Sequence, residues 1–259
     1  MNMDDVKEVI IPARVKSRWF SDVRDFTKLK RLRLTRYAMY ATSLPDHTEF
    51  LLEVLEMYFS DLKQLIITDA TACIGGNARM FVGKFRHVNI VDISKIHIDI
   101  LKNNFKVLGL NNAANTFSIY NKNYLSIGAS LKQDIIFLDV PWGGVDYRLQ
   151  KNKQLFLFDS NNEAVCLSDL IHKKLYLHAK IVVVKVPNTY DISIFENSGI
   201  FKSVETINVT NRSNKIIYSM VILSHIYPNK SVPKRRVLSS VNYKAVMEMI
   251  KQKKVNKKT

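Results

Sequence analysis

Short runs of β-branched and aromatic residues, almost free of polar positions, recur through the middle of the chain. Strands buried on both faces have this pattern, whereas half-exposed strands alternate apolar and polar residues. The runs predict five buried strands, at 65–68, 88–91, 116–119, 135–138 and 181–184. Two further runs, at 204–209 and 216–223, are joined by a short polar turn and predict a hairpin.

Helical patterns separate these strands. Residues 46–60 predict an amphipathic helix that begins at Pro45 and Asp46. Residues 94–108 predict another, because its apolar residues fall on one side and Gly109 follows it. Alternating strands and helices are typical of a doubly wound α/β protein. The sequence therefore predicts a Rossmann-like fold, with a seven-stranded, mostly parallel sheet that ends in an antiparallel hairpin.

The composition excludes several classes of protein. With 259 residues and 47% hydrophobic residues, the chain can bury a sizeable core. Its two cysteines exclude a disulfide scaffold and a four-cysteine zinc site, and its six histidines show no metal-ligand spacing. No apolar run approaches the roughly 20 residues that span a bilayer, and the N-terminus does not resemble a signal peptide. We expect a soluble intracellular protein of the cytoplasm or nucleus that is not secreted and holds no metal.

Positive charge is concentrated at the two ends of the chain, which has a formal net charge of +16. Residues 14–36 hold nine basic and two acidic residues, and residues 228–259 hold ten basic and one. The first segment interleaves its cations with Trp19, Phe20 and Phe26, a mixture typical of phosphate-binding surfaces. We therefore predict a basic, partly helical N-terminal extension (1–45), a central domain (46–228) and a basic, largely disordered C-terminal tail (229–259).

A glycine-containing turn, Asp69-Ala-Thr-Ala-Cys-Ile-Gly-Gly-Asn77, follows the first predicted strand. Its glycines let the backbone approach a ligand, and the helix after it offers free N–H groups. It matches neither the dinucleotide fingerprint nor a phosphate loop. Asp92 ends the second strand, where a carboxylate can accept hydrogen bonds from both ribose hydroxyls of an adenosine. The alternative for Asp92 is a cap on the next helix.

A second distinctive string, Asp139-Val-Pro-Trp-Gly-Gly-Val-Asp-Tyr147, follows the fourth strand. Ligands of open α/β sheets lie beyond the carboxyl ends of the strands. There, a carboxylate and a backbone carbonyl could accept hydrogen bonds from an exocyclic amine, and Trp142 could stack on the base. Lys185-Val-Pro-Asn-Thr-Tyr-Asp191 follows the fifth strand and by itself indicates only a loop.

Together these motifs resemble the trimethylguanosine synthase family, the RNA cap guanine-N2 methyltransferases, over roughly residues 30–225. Asp69 to Asn77 is similar to the family's Asp-Ala-Phe-Cys-Gly-Val-Gly-Gly-Asn, and 140–147 is similar to its Pro-Pro-Trp-Gly-Gly-x-x-Tyr. Thr42-Ser-Leu-Pro-Asp46 and Val186-Pro-Asn188 resemble two further family motifs. The chain departs from the pattern at Leu44, Cys73, Asn123 and Val140, where the family or many methyltransferases have Thr, Gly, an acid and Pro.

The resemblance implies a methyltransferase fold, S-adenosylmethionine as cofactor, and 7-methylguanosine-capped RNA as partner. The sequence does not give the oligomeric state, and we expect a monomer. No amphipathic apolar face accompanies the basic segment, so we expect no membrane binding. It implies a cofactor site made of Asp69, Ala70, Gly75, Gly76, Asn77, Asp92, Ile93, Asn123, Tyr124 and Asp139. The implied catalytic residues are Asp139, Val140, Pro141 and Trp142. The implied substrate contacts are Trp142, Tyr147 and Asn188. From the basic N-terminal segment we expect Lys28, Lys30, Arg31 and Arg33 to contact the cap triphosphate and the RNA that follows it.

Two alternatives remain open at this point. The same fold and the string Asp139-Val-Pro-Trp142 would suit a methyltransferase acting on guanine N2 or adenine N6 within RNA or DNA. The departures at Cys73, Asn123 and Val140 would instead suit a degenerate methyltransferase that binds capped RNA without turnover.

Overall fold

The computed structural model describes residues 8–110, 115–143, 154–159, 161–175 and 178–240. Its strands are β1 (Ile66–Asp69), β2 (His87–Val91), β3 (Phe117–Tyr120), β4 (Ile135–Leu138), β5 (Phe156–Phe158), β6 (Ala164–Cys166), β7 (Ile181–Val186), β8 (Ser203–Thr210), β9 (Ile216–Ser224) and β10 (Arg235–Val237). Its α-helices are α1 (Ala13–Lys16), α2 (Phe26–Arg31), α3 (Ala38–Ala41), α4 (Pro45–Leu55), α5 (Ala78–Phe81), α6 (Lys95–Leu108), α7 (Tyr124–Ile127), α8 (Leu167–Leu170) and α9 (Ser193–Glu196). Two 3₁₀ turns (Leu62–Gln64 and Gly128–Ser130) and a π-helical turn (Ile171–Leu175) complete the list.

Eight strands form one sheet in the order β10-β8-β9-β7-β4-β1-β2-β3. Five neighbouring strands of this sheet, β3, β2, β1, β4 and β7, are parallel. Strand β9 lies between β7 and β8 and is antiparallel to both. This confirms the Rossmann-like α/β fold and its terminal hairpin. From β1 the chain adds β2 and β3 on one side of the sheet, and from β4 it adds β7 on the other side. The direction in which strands are added therefore switches between β1 and β4. Ligand sites of such sheets form at that point.

The predicted strand count was wrong, because the sheet has eight strands and not seven. The additional strand, β10, pairs in parallel with β8, and it lies within the segment 229–259 that was predicted to be largely disordered. All three residues of β10 are exposed, so no run of apolar residues in the sequence predicts this strand. The rest of that segment, from residue 241, lies outside the described residues. A separate two-stranded sheet of β5 and β6 was not predicted either.

Alternate residues of the central strands serve two cores, one on each face of the sheet. In β4, Ile135 and Phe137 belong to one core, while Ile136 and Leu138 belong to the other. Every residue of β4 and β7 is buried, as the uninterrupted apolar runs predicted. Within the described part of the chain, no helix combines the length and apolar character needed to cross a membrane.

The N-terminal segment has a third core of its own, which packs against α6 and the glycine turn. Trp19 and Phe20 belong to it and are 0% and 1% exposed, and Trp19 Nε1 donates a hydrogen bond to the Met39 carbonyl (3.0 Å). The prediction that these two rings belong to a phosphate-binding surface was therefore wrong. When an arginine and an aromatic residue are adjacent in the sequence, the pattern does not indicate which of the two side chains faces solvent.

Candidate active site

Four ionisable side chains meet at the carboxyl edge of the sheet, around the topological switch. Asp69 ends β1, Asp92 follows β2, Asp139 follows β4, and Lys185 lies near the end of β7. These strands are neighbours in the sheet, so residues far apart in sequence converge on one edge. The three acids were predicted from sequence as site residues, whereas Lys185 was not.

The glycine turn after β1 lies tightly between α6 and the N-terminal segment. A Cβ on Gly75 would come within 2.9 Å of the Phe105 ring, and a Cβ on Gly76 would come within 2.4 Å of Thr42 Cγ2. Gly75 also has a φ of +86°, which favours glycine. Cys73 has a φ of 49°, so it holds the left-handed conformation at the position where the similar family has glycine. Neither glycine could carry a side chain without displacing its neighbours.

The Asp92 carboxylate is fixed in place by backbone groups of two different elements. Its Oδ2 accepts from the N–H of Cys73 (2.7 Å), and its Oδ1 accepts from the N–H of Ser94 (2.8 Å). His97 Nδ1 lies 3.5 Å from Oδ1, and the His97 ring stacks on Tyr37, with ring centroids 5.5 Å apart. The helix cap itself is Ser94, whose side chain accepts from the His97 N–H. Because each carboxylate oxygen can accept two hydrogen bonds, Asp92 keeps acceptor capacity for a ligand.

Asp69 is a buried carboxyl at the end of β1. The residue is 1% exposed, and neither oxygen makes a hydrogen bond of ordinary length and angle among the described residues, although the backbone N–H groups of Thr71 and Ala78 face it and lower its pKa. Burial has the larger effect and raises the pKa of Asp69 to about 8, and the negative charge of Asp139 adds to the shift. Asp69 is therefore mostly protonated at neutral pH in the free protein.

This raised pKa makes stability depend on pH. Between about pH 4 and pH 8 the folded state holds a proton on Asp69 that the unfolded chain has released, so stability falls as pH rises through that window. We expect the free energy of unfolding of wild type, relative to Asp69→Asn, to fall by roughly 4 kcal/mol between pH 5 and 8. Urea unfolding of both proteins across this range measures the difference. Parallel pH profiles for the two proteins would contradict the assignment.

Asp139 and Lys185 form a nearly buried ion pair. Lys185 Nζ lies 2.7 Å from Asp139 Oδ2, with the two side chains 11% and 12% exposed, and Nζ also donates to Ser43 Oγ (3.1 Å). Burial raises the pKa of Asp139, while the Lys185 ammonium opposes the shift. The Asp139 backbone N–H donates to Thr71 Oγ1 (3.0 Å), which ties this segment to the glycine turn.

Aromatic rings surround the ammonium of this pair. Lys185 Nζ lies 5.5 Å from the Trp142 ring centroid and 5.0 Å from that of Tyr218. The His47 ring lies 5.4 Å from Tyr218, and its Nε2 donates to the Ser239 carbonyl (2.7 Å). Trp142 is partly buried and packs against both cores of the sheet. Asp139, Lys185 and Trp142 therefore form one charged and aromatic cluster.

The remaining predicted cofactor residues lie around this edge, but not all present side chains to it. Ile93 is 64% exposed beside Asp92, whereas Ala70 is buried. The Asn77 side chain accepts a hydrogen bond from Thr48 of α4 and donates one to Ser43, just before that helix. Asn123 caps α7 and donates to the Phe158 carbonyl (2.6 Å). Tyr124 is buried, and its hydroxyl donates to Gln133 Oε1 (3.2 Å), so its side chain does not face this edge.

The predicted substrate residues are spread more widely. Val140 is buried, Pro141 and Asn188 are exposed, and Tyr147 lies outside the described residues. The basic residues Lys28, Lys30, Arg31 and Arg33 lie on or just after α2, which packs on α6. Arg33 is paired with Glu8. No cluster of side chains suited to a metal ion occurs among the described residues.

Comparison with known proteins identifies the family. A sequence model of the RNA cap guanine-N2 methyltransferases matches residues 64–227, which include β1 and the glycine turn, the Asp139–Trp142 segment and the terminal hairpin. The chain belongs to this family. Its members are S-adenosylmethionine-dependent methyltransferases, so this chain is one of them and S-adenosylmethionine is its cofactor.

One sequence relative and two solved structures are similar to this family member, and the two structures share its fold. Protein L320 of Acanthamoeba polyphaga mimivirus, an uncharacterized protein, is 29% identical over 213 residues, covering 75% of this chain and 78% of that protein. A candidate methyltransferase from Porphyromonas gingivalis W83 superposes with a TM-score of 0.56 at 13% identity, over 88% of this chain and 53% of its own. A candidate class I S-adenosylmethionine-dependent methyltransferase from Listeria monocytogenes has a TM-score of 0.50 at 15% identity, over 81% and 69%. The match thus spans about half of the Porphyromonas chain.

Proposed function

We propose that this protein methylates the N2 amine of a 7-methylguanosine RNA cap, with S-adenosylmethionine as the methyl donor. The observation that carries the proposal is the cluster at the end of β4. A carboxylate, Asp139, lies in one segment with an aromatic ring, Trp142, and both contact Lys185, while the Asp139 N–H donates to Thr71 of the glycine turn. An exocyclic amine and a purine ring are the groups that such a pair recognises.

The residues around the glycine turn fit the cofactor. The backbone of Gly75 and Gly76 leaves no space for a side chain, and neither oxygen of the Asp69 carboxyl makes a hydrogen bond of ordinary length and angle among the described residues. We assign Asp69 to the polar end of the cofactor, the Asp92 carboxylate to its ribose hydroxyls, and the exposed side chain of Ile93 to its adenine. When bound, S-adenosylmethionine supplies an activated methyl group on its sulfonium.

The ribose assignment predicts a selective loss of cofactor affinity. Asp92→Asn should weaken S-adenosylmethionine binding by about 1.5–3 kcal/mol, because a charged hydrogen-bond acceptor is lost. This corresponds to roughly 10- to 150-fold in Kd. Asp99→Asn is the matched control, because Asp99 lies on α6, the helix that follows Asp92, and pairs with Lys95 at the exposed surface. Isothermal titration calorimetry measures both, and unchanged affinity in a folded Asp92→Asn protein would defeat the assignment.

The acceptor amine is a weak nucleophile because its lone pair is delocalised into the purine ring. The protein therefore contributes mainly by orienting the amine, and well-oriented intramolecular reactions gain roughly 7–11 kcal/mol in this way. Asp139 and the Val140 carbonyl would accept hydrogen bonds from the amine and stabilise the positive charge that it gains. Lys185 opposes the protonation of Asp139 that burial favours.

Trp142 would hold the purine by stacking. A 7-methylguanine base is cationic, so the stack includes a cation–π attraction of about 0.5–2 kcal/mol that plain guanine lacks. The Lys185 ammonium already lies against this ring, so we assign the base to the face that Lys185 leaves open. The preference for a methylated cap thus depends on one aromatic side chain.

A panel of small acceptors tests the function. The protein should transfer radiolabelled methyl groups to 7-methyl-GTP, much less to GTP, and none to ATP. Transfer to ATP or to unmethylated guanine in RNA, without transfer to 7-methyl-GTP, would favour an enzyme acting on internal bases. Binding of 7-methyl-GTP and S-adenosylmethionine without any transfer would indicate a degenerate methyltransferase.

A further inference from the structure

We propose that Phe158, on the β5–β6 hairpin, forms the second wall of the adenine site and faces Ile93 across the bound base. Asn123 is the positioning residue that holds Phe158 in this place. The inference rests on the assignment of Ile93 to the adenine of S-adenosylmethionine. It does not depend on the cap as methyl acceptor.

Exposed apolar side chains are concentrated in two short segments of the chain. Of the nine large apolar side chains that are exposed in the described part of the protein, four lie at 93–96 and 156–158. Ile93 directly follows Asp92 and is 64% exposed, and Phe158 is 53% exposed. Between the exposed rings of β5, Leu157 is buried in a core, so Phe158 lies on the opposite side of the strand, toward solvent. Clusters of exposed apolar side chains are typical of binding surfaces.

The loop between β3 and α7 joins these two segments. Asn121 Nδ2 donates hydrogen bonds to the carbonyl oxygens of Asp92 (3.1 Å) and Ile93 (3.0 Å). Two residues later, Asn123 Nδ2 donates to the Phe158 carbonyl (2.6 Å). Two residues of extended chain span at most about 7 Å. A planar base between two apolar side chains separates them by about 7–8 Å, at contact distances of about 3.5–4.0 Å on each face. The spacing of the two anchoring residues is therefore suited to one planar ring.

The side chain of Asn123 accounts for one departure of this sequence from other methyltransferases. Its Oδ1 accepts from the Leu125 N–H (3.0 Å), while its Nδ2 donates to the Phe158 carbonyl. A carboxylate, which many methyltransferases have at this position, can accept the first of these bonds but cannot donate the second. The amide thus ties the hairpin to the loop beside Ile93, which an acid at this position could not do.

The charge of the hairpin favours a neutral ring over a phosphate group or an RNA strand. The turn between β5 and β6 carries Asp159 and Glu163, and residues 154–166 include no Lys or Arg. Negative charge at this turn repels phosphates, since RNA-binding surfaces are basic. Adenine is planar and uncharged, and Asp92, next to Ile93, is placed for the ribose attached to it. The occupant that fits this surface is therefore the adenine of the cofactor.

Calorimetric titration of the full chain with S-adenosylhomocysteine tests the proposal. The variants are Phe158→Ala, Phe158→Trp, Asn123→Asp and a double variant that combines Phe158→Ala with Asn123→Asp. Phe156→Ala is the matched control, because Phe156 is an exposed ring on the same face of β5 and does not take part in the Asn123 contact. Thermal unfolding without ligand reports that each variant is folded.

Phe158→Ala should raise Kd at least about fivefold, because stacking of the base on an aromatic side chain is lost. Phe158→Trp keeps a stacking ring, so it should stay within about twofold of wild type, and Phe156→Ala should do the same. Asn123→Asp should also weaken binding. It should add little in the double variant, because its effect passes through Phe158. Unchanged affinity in Phe158→Ala, or an equal loss in Phe156→Ala, would overturn the proposal.

A second ligand tests whether Asn123 acts through Phe158 or contacts the base itself. In S-inosylhomocysteine a carbonyl oxygen replaces the adenine amine. Stacking does not depend on that group, so each variant should show the same fold-change for both ligands. An effect of Asn123→Asp confined to S-adenosylhomocysteine would show that Asn123 recognises the amine and would contradict its positioning role. Calorimetry requires no methyl transfer, so failure of the proposed cap acceptor would leave this test unaffected.

Discussion

Trp142→Ala should remove most methyl transfer to a cap while S-adenosylmethionine still binds. Base stacking on an aromatic side chain contributes about 1–3 kcal/mol, or roughly 5- to 150-fold in affinity, and a cationic base adds a cation–π attraction. Orientation of the amine next to Asp139 depends on the same ring, so kcat should fall together with cap affinity. Titration with 7-methyl-GTP and a transfer assay measure the two losses, and calorimetry measures cofactor binding.

Trp142→Phe is the control, because a smaller ring still stacks and should keep part of both functions. Trp142 also packs against both cores, so some loss of thermal stability is expected in the alanine variant. Activity is therefore expressed per folded molecule. If Trp142→Ala melts many degrees lower but keeps its activity per folded molecule, the ring is a core residue and not a base-stacking platform.

Lys185→Met should shift the pH dependence of the reaction. The ammonium lowers the pKa of Asp139 against the effect of burial, so its removal lets that pKa rise and Asp139 take up a proton. Activity should fall most at low pH and recover in part as the pH increases, which moves the acidic limb of the profile upward. Leaving a buried charge without its partner costs about 3–5 kcal/mol, so the variant should also be less stable at high pH, where Asp139 is ionised.

The pH profile of kcat/KM for Lys185→Met, Lys185→Arg and Asp139→Asn tests this account. Arginine keeps the charge and should retain a profile close to wild type. Asp139→Asn removes the ionisable group, so its pH profile should have no acidic limb from this residue. It should also reduce kcat by about 10²–10³, because a charge-stabilising group is lost. An unchanged acidic limb in Lys185→Met would show that the ion pair is structural only.

The fold was predictable because its signals are local. The parallel strands of the main sheet are short apolar runs in the sequence. Such a run is enough to predict a strand that is buried on both faces. The glycine turn was recognisable for a similar reason, since its conformation is a property of the turn itself. By contrast β10 is an edge strand that pairs with β8, and its exposed residues have no period that predicts it.

The parts of the site that escaped prediction depend on tertiary contacts. Lys185 is a single polar residue in an apolar run, and its partner Asp139 is 46 residues away in sequence. Tyr37 comes from the N-terminal extension and meets His97 only because that extension docks on α6. Local sequence shows which residue types are present. It does not show which segments the fold places over the end of the sheet.

The central claim is that the cap guanine amine is the methyl acceptor, and the mass and fragmentation of the nucleotide product test it most directly. Wild-type protein is incubated with S-adenosylmethionine and 7-methyl-GTP, and the product is analysed beside a reaction with Trp142→Ala. The account predicts a product heavier by whole methyl groups, with the added methyl on N2 of the base, and little product from the variant. A nucleotide of unchanged mass, or a methyl group placed on the ribose or another ring atom, would contradict it.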